Sequence, residues 1–199
     1  MIRSVFDYLQ YMKRAILLIF YLVDCLNSTG QQCDIIKTVL LNYYDGSVTT
    51  KSNRSISKPI NLCNEFITYY NSEKNSIKED ISNYVPSAIA KKFAIEVEHL
   101  DAGGTVDCFD SAFNFITKTQ ADSINQCFRK YGSVECTKNP EALYKYNCTF
   151  ITQPIIIGNF AIIKEMVYVA SLTSTTNIYL FKKVKGKFVF HKTLYSSAS

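Results

Sequence analysis

The chain has 199 residues, 47% of them hydrophobic and 20% charged, and its formal net charge is +5. This length and apolar content suit a single globular domain with a buried core. The basic excess is small and spread along the chain, whereas nucleic-acid-binding domains usually have a basic stripe or a strongly basic surface. We therefore expect no nucleic-acid partner.

An apolar run near the N-terminus, residues 15–23, decides how the rest of the chain is interpreted. It follows the basic pair Lys13 and Arg14 and ends before Asp24. The run has nine residues, whereas a membrane-spanning helix needs about 20. A secretory signal peptide needs only a basic start, roughly 7–15 apolar residues and small residues before the cleavage point. The pattern therefore favours a signal peptide over a transmembrane segment.

The predicted cleavage point lies before Gln31, because Ser28 and Gly30 occupy the small-residue positions ahead of that bond. Residues 1–30 are then a signal peptide, and residues 31–199 form one domain that is exported to the periplasm or outside the cell. After such a cleavage no transmembrane segment remains in the sequence.

The N-terminal segment leaves two other interpretations open. Cys25, directly after the apolar run, suits the lipidated cysteine of a bacterial lipoprotein, although Asp24 stands where a small residue should precede it. The segment also suits an ordinary N-terminal helix of a cytosolic domain. The residues before Met12 add nothing to a signal pattern, which favours Met12 as the true start.

Export determines how the cysteines are interpreted, because thiols oxidise outside the cytosol. Cleavage before Gln31 leaves six disulfide candidates: Cys33, Cys63, Cys108, Cys127, Cys136 and Cys148. Six cysteines allow 15 pairings, and the alternative is six scattered buried thiols. No CxxC spacing occurs, so we expect no zinc and no other cofactor. Cys127 and Cys136 bracket a short segment with Gly132 and are the predicted local pair.

Hydrophobic spacing predicts helices in the first half of the chain. After a cap at Asp34, one apolar face follows helical spacing: Ile35, Ile36, Val39, Leu40 and Tyr43. The polar stretch "YDGSVTTKSNRSISKP" ends this helix and is the predicted mobile loop. A second helix is predicted from Asn61 to Tyr70, and a short third one from a capping box of Ser76 and Glu79.

Two more segments have helical spacing before the pattern changes. Pro86 suits the start of a helix to about Lys92, and the apolar alternation over residues 93–97 then predicts a strand. Residues 119–131 again repeat helical spacing, and Gly132 stands where a C-terminal cap belongs.

After Pro140 the apolar spacing changes to the period of two that is typical of strands. The segment "FAIIKEMVYVASL" is apolar on both faces apart from Lys164 and Glu165, and "NIYLFKK" and "KFVFHKTL" flank a turn at Gly186. Helices followed by strands predict an α+β fold. We expect N-terminal helices packed on a C-terminal antiparallel sheet of about four strands.

The ending "QPIIIGNFAIIKEMVYVASLTSTTNIYLFKKVKGKFVFHKTL" resembles the C-terminal β-meander of uncharacterised exported bacterial proteins. A lysine-glycine-lysine turn followed by an aromatic strand carries this resemblance, which covers residues 142–194. The loop "TSTTN" departs from these proteins, which tend to have glycines and cysteines there. The resemblance implies export and this type of sheet, and it brings no catalytic residues.

An acidic segment, "EVEHLDAGGTVDCFD", offers a first candidate site. Glu98, His99 and Asp101 are candidates for a general acid–base pair or a cation site. In a strand, however, neighbouring side chains point to opposite faces, and the spacing differs from that of a calcium-binding EF-hand. The alternative is a solvated strand end followed by a turn, with no bound metal.

The last predicted hairpin is basic and offers a second candidate site. Lys183, Lys185 and Lys187 suit an acidic protein, an anionic glycan or a lipid head group as partner. Lysines also protect an exposed sheet edge from unwanted pairing, which is the alternative interpretation.

Tyrosines are the third notable feature, since the chain has 14 of them and no tryptophan. Four in the predicted helical half suit the lining of a ligand groove: Tyr43, Tyr44, Tyr69 and Tyr70. Packing of these amphipathic rings at the boundary of the core explains them equally well.

No catalytic triad or phosphate-binding loop occurs in the sequence, so enzyme activity is without support. The leading hypothesis is an exported, disulfide-stabilised binding protein whose partner is unknown. One alternative is a hydrolase or cation-dependent enzyme that uses Glu98, His99 and Asp101. The other is a small-ligand carrier, which a cavity between helices and sheet would favour.

Overall fold

The computed structural model describes residues 12, 29–40, 42–44, 51–53, 60–101, 103–108, 113–137, 148–169 and 173–198. Its helices are residues 29–40 (α1), Asn71–Asp80 (α2), Ser87–His99 (α3) and Lys118–Thr137 (α4), with a 3-10 turn at Ile81–Asn83. Its strands are Asn42–Tyr44 (β1), Lys51–Asn53 (β2), Ile60–Cys63 (β3), Phe113–Ile116 (β4), Cys148–Ile151 (β5), Ile155–Ile157 (β6), Phe160–Val169 (β7), Thr173–Val184 (β8) and Lys187–Ala198 (β9). Helices precede most of the strands, which confirms the α+β class.

Most of the predicted signal segment, including the basic pair and Cys25, lies outside the described residues. Where the chain is described, none of its helices has both the length and the apolar character that crossing a bilayer requires. Two parts of the predicted mobile loop are described. One is its first residue, which is also the last residue of β1, and the other is β2, which pairs antiparallel with β1.

The main sheet has seven strands in the order β4-β3-β5-β7-β8-β9, with β6 also paired to β7. Four C-terminal strands, β5, β7, β8 and β9, pair antiparallel, as the sequence predicts. The sheet is larger than expected because β3 pairs in parallel with both β4 and β5. Parallel neighbours need a long crossover connection, and the segments containing α2, α3 and α4 supply it.

Helices cover both faces of this sheet. Ile163 in β7 packs with Ile36 of α1, whereas the adjacent Ile162 packs with Phe93 of α3. Successive side chains in a strand point to opposite faces, so α1 lies on one face and α3 on the other. Farther along the second face, Ile124 of α4 packs with Met166. The core is therefore two apolar layers with the sheet between them.

One predicted helix and two predicted helix starts are wrong near the start of the fold. The helix predicted from Asn61 is strand β3 and a following loop, because Leu62 and Cys63 are buried in the sheet between β4 and β5. Asp34 lies inside α1, which already includes residue 29. Ser76 lies inside α2, whose first turn is instead closed by Glu73: its carboxylate accepts a hydrogen bond of 2.7 Å from the backbone N–H of Tyr70.

The boundary of α3 also differs from the prediction. The helix continues to His99, and Phe93 and Val97 are fully buried while Ile95 between them is 57% exposed. Residues four apart lie on the same face of a helix, so this pattern of burial is helical. The strand predicted over residues 93–97 is therefore wrong.

Helix α4 overturns the predicted local disulfide. It continues through Gly132 to Thr137 and so includes both Cys127 and Cys136. Nine residues of one helix rise about 13 Å, whereas the Cα atoms of a disulfide lie about 4.4–6.8 Å apart. Cys127 itself is disulfide-bonded.

One disulfide is described at both ends. Cys33 of α1 is bonded to Cys108, with a Cα–Cα distance of 5.3 Å and 75 residues between them in sequence. Cys63 and Cys148 are buried free thiols, which corrects their assignment as disulfide candidates. Asn61 of β3 lies opposite Cys148 of β5, and Cys63 is two residues farther along β3. The diagonal distance between Cys63 and Cys148 is therefore roughly 8 Å.

Candidate functional site

A cavity of about 410 Å³ lies between the first half of α4 and the loop that follows β3. We call it the α4 pocket. Strands β3, β5 and β7 supply its floor: Cys63, Phe150, Met166 and Tyr168. The loop supplies one wall: Glu65, Phe66, Ile67, Thr68 and Tyr70. Helix α4 supplies the other wall with Lys118, Asp122 and Asn125, and Gly103 lies at the rim.

The position of the pocket follows from the parallel pairing of β3 and β4. Both strands end at the same edge of the sheet, where the loop leaves β3 and α4 begins after β4. Thr117 and Gln120 close the first turn of α4 reciprocally. The backbone N–H of Gln120 donates to Thr117 Oγ1 at 3.2 Å, and the backbone N–H of Thr117 donates to Gln120 Oε1 at 2.8 Å.

The floor of the pocket is apolar and aromatic. Phe150 of β5 lies opposite Met166 of β7 in the sheet. The rings of Phe150 and Tyr168 meet edge to face, with centroids 5.4 Å apart. Such a surface takes up an apolar or aromatic group by removing it from water.

Four charged or polar side chains line the walls of the pocket. Lys118, Asp122 and Asn125 are four and three residues apart, so they lie along one side of α4. Glu65 faces them from the loop. Within the part of the chain that the structure describes, none of these four side chains has an ion-pair or hydrogen-bond partner. They are therefore available to a ligand.

Backbone hydrogen bonds fix the loop wall to two neighbouring segments. The N–H of Ile67 donates to the carbonyl of Ile151 at 2.9 Å, which joins the loop to the end of β5. The N–H of Val106 donates to the carbonyl of Asn64 at 2.9 Å. The segment that includes Val106 is bonded through Cys108 to α1. The disulfide thus anchors a segment that supports the pocket wall.

A buried ion pair lies beside the pocket. Lys164 of β7 donates to the Glu73 carboxylate at 2.7 Å, and both side chains are almost fully buried, at 0% and 3% exposure. Lys164 also donates to the carbonyl of Thr68 at 3.2 Å, and its ammonium lies 4.0 Å from the centre of the Tyr70 ring. Burial lowers the pKa of Lys164, and Glu73 opposes this shift.

The two free thiols are poor nucleophiles. Burial raises the pKa of Cys63, and nearby Glu65 and Asp122 add to this shift. Burial raises the pKa of Cys148 to about 12, with a further contribution from Cys63. Since the thiolate is the reactive form, both groups are protonated and unreactive at neutral pH.

The predicted acidic site lies on the surface, away from the α4 pocket. Glu98 is on the last turn of α3, where Lys74, at 3.3 Å, and Lys78 pair with its carboxylate. These lysine hydrogen bonds lower the pKa of Glu98. His99 and Asp101 are exposed. Among the described residues, no group of three or more His, Cys, Asp or Glu side chains is placed to hold a metal ion.

The predicted basic hairpin is present between β8 and β9. Lys185 and Gly186 form its turn and both have positive φ, at 49° and 83°. Lys185 and Lys187 are exposed, whereas the Lys183 ammonium lies 5.5 Å from the centre of the Phe188 ring.

The predicted tyrosine groove is found in part. Tyr70 lines the α4 pocket, while Tyr69 is buried behind it and accepts a hydrogen bond of 3.2 Å from Thr152 Oγ1. Tyr43 and Tyr44 are in β1, and their side chains lie outside the described part. Sequence reasoning missed the remaining polar wall. Its only local signal is the helical spacing of Lys118, Asp122 and Asn125, which any solvated helix face also has.

Comparison with known proteins identifies no relative. No family model, no curated protein and no solved structure matches this chain. The residues of the pocket therefore carry the functional argument.

Proposed function

We propose that the protein binds a small organic ligand in the α4 pocket. One observation carries this proposal: a cavity of about 410 Å³ with an aromatic floor and polar side chains on its walls. Small-molecule sites typically enclose roughly 300–1,000 Å³ and combine an apolar lining with a few polar groups. The small-ligand carrier is thus the functional hypothesis that the geometry supports best.

A catalytic role has less support than binding. Among the described lining residues the one thiol is Cys63, whose pKa is raised by burial. The predicted acid–base residue Glu98 is engaged by two lysines outside the pocket. Neither group is in a state that favours nucleophilic or general-base chemistry.

We further propose that the protein is exported, as the signal pattern and the resemblance to exported bacterial proteins suggest. The Cys33–Cys108 disulfide supports this proposal, because disulfides persist mainly in oxidising compartments. Removal of residues 1–30 would leave both of these cysteines in place. Sequencing the N-terminus of the protein isolated from its host tests this point, and an uncleaved chain would contradict it.

The binding proposal is tested by filling the pocket from α4. Asn125→Phe places an aromatic ring in the cavity, and Gln126→Phe is the matched control, because Gln126 is the next residue of α4, is exposed and does not line the pocket. We expect the neutral probe 2-phenylethanol to bind the native protein and the control, as measured by saturation-transfer NMR. Binding should be lost in Asn125→Phe. Equal binding by both variants would place the ligand elsewhere and overturn the proposal.

A further inference from the structure

We infer that the α4 pocket takes an organic cation, an amine attached to an aromatic or apolar body. This inference rests on the proposed function, because it concerns the ligand of the same cavity. Three features of the pocket carry it: the balance of charge on its walls, the aromatic rings around its floor, and the state of the nearby helix terminus.

The charge balance of the pocket is negative. Its walls contain two carboxylates, Glu65 and Asp122, and one ammonium, Lys118. All three act electrostatically on the thiol of Cys63 in the floor, so the carboxylates lie near the same point of the cavity. Neither carboxylate has a salt-bridge partner within the described ranges. A positively charged ligand would gain two attractive contacts against one repulsive contact.

The buried ion pair does not change this balance. Lys164 lies beneath the loop wall, but Glu73 contacts its ammonium at 2.7 Å. The pair therefore adds no net charge beside the pocket. Among the described lining residues, Lys118 is the one cation without a salt-bridge partner.

Aromatic rings around the pocket are suited to a cation as well. Phe66, Tyr70, Phe150 and Tyr168 all line it. Ring faces attract ammonium groups within about 6 Å of their centre. Tyr70 already contacts one such group, since the Lys164 ammonium lies 4.0 Å from its ring centre. The rings of Phe66 and Phe150 can receive the ammonium or the apolar body of a ligand.

The N-terminus of α4 would attract an anion if its N–H groups were free. One of these groups is engaged, because the backbone N–H of Gln120 donates to Thr117 Oγ1. An anionic ligand would in addition face both carboxylates of the walls. The geometry favours the cation.

The experiment compares three probes of similar shape: 2-phenylethylamine, 2-phenylethanol and 3-phenylpropanoate. We expect the amine to bind most tightly and the carboxylate most weakly, as measured by isothermal titration calorimetry or NMR titration. Glu65→Gln and Asp122→Asn should each weaken binding of the amine by roughly 2- to 5-fold, as expected for exposed ion pairs. Binding of the alcohol, which carries no charge, should change less than binding of the amine in both variants. Lys118→Gln should strengthen binding of the amine.

A control and the alternative outcomes make the test decisive. Glu79→Gln removes an exposed carboxylate from α2, outside the pocket, and should leave all three affinities unchanged. Equal binding of the three probes, with no effect of the wall variants, would overturn the cation inference and leave the binding proposal intact. Tightest binding of the carboxylate would also overturn it. Failure of all three probes to bind would overturn the binding proposal as well.

Discussion

Lys164 and Glu73 form an ion pair in the interior of the protein, where charge is expensive to bury. Several hydrogen bonds stabilise the two buried charges. Lys164 has the Glu73 carboxylate and the carbonyl of Thr68, and Glu73 also accepts from the backbone N–H of Tyr70. These contacts connect β7, the loop wall of the α4 pocket and the start of α2. The pair therefore helps to position the wall.

Replacing one partner of this ion pair should destabilise the protein more than replacing both partners. We expect Lys164→Met to lower the free energy of unfolding by about 3–5 kcal/mol, because it leaves the Glu73 carboxylate buried without a cation. The double variant Lys164→Met/Glu73→Gln should recover much of that loss, since the new side chain is neutral and its amide oxygen can still accept from the N–H of Tyr70. Urea denaturation of the native protein, both single variants and the double variant measures the coupling, and additive losses would contradict it.

The sequence identified half of this interaction. Lys164 stands out as a charged residue in an otherwise apolar strand. Its partner Glu73 is 91 residues away in sequence and looks like any charged residue of an exposed helix start. Only the packing of α2 against the sheet brings the two together.

At the scale of elements, the β8–β9 hairpin is the feature that local sequence determines most completely. Its two strands flank the predicted turn, which is formed by Lys185 and Gly186, both with positive φ. Two-residue hairpin turns of this kind match the twist of the flanking strands. Glycine adopts positive φ without strain, whereas a side chain at such a position costs energy.

Substitutions at the two turn positions should have opposite effects. Gly186→Ala should lower the free energy of unfolding by about 1–2 kcal/mol, because it adds a Cβ atom in left-handed backbone. Lys185→Asn should be neutral or slightly stabilising, since asparagine tolerates this conformation better than lysine. Thermal or urea denaturation checks both. Equal effects would show that the turn does not control hairpin stability.

Helix α3 shows why some elements were predicted incorrectly. Phe93, Ile95 and Val97 fit a strand by alternation, but Phe93 and Val97 also fit a helix face. The choice is made by the neighbours of these residues, since Phe93 and Val97 pack with Ile162 and Leu180 of the sheet. Local spacing cannot distinguish the two periods over so short a segment.

For the molecule as a whole, the Cys33–Cys108 disulfide joins α1 on one face of the sheet to the segment that supports the pocket wall. We expect Cys33→Ser/Cys108→Ser to lower the free energy of unfolding by about 2–5 kcal/mol, because the bond closes a long loop. The same variant should bind 2-phenylethanol more weakly. Urea denaturation and NMR titration measure the two effects.

The matched control for this variant is Cys148→Ala, which removes a buried free thiol but opens no closed loop. It should lose less stability, through the small cavity that it leaves. A double serine variant that is as stable as the native protein, or that binds the probe equally well, would show that the disulfide does not support the pocket.

The sequence by itself determined the features that depend on near neighbours: the α+β class, the C-terminal antiparallel strands, the apolar face of α1 and the final hairpin. The period of apolar residues records which side of an element is buried, and this information is local. The tertiary structure decided the parallel pairing of β3, the partners of the cysteines and the position of the α4 pocket. Each of these brings together residues from distant segments, and their distances depend on how the helices pack on the sheet.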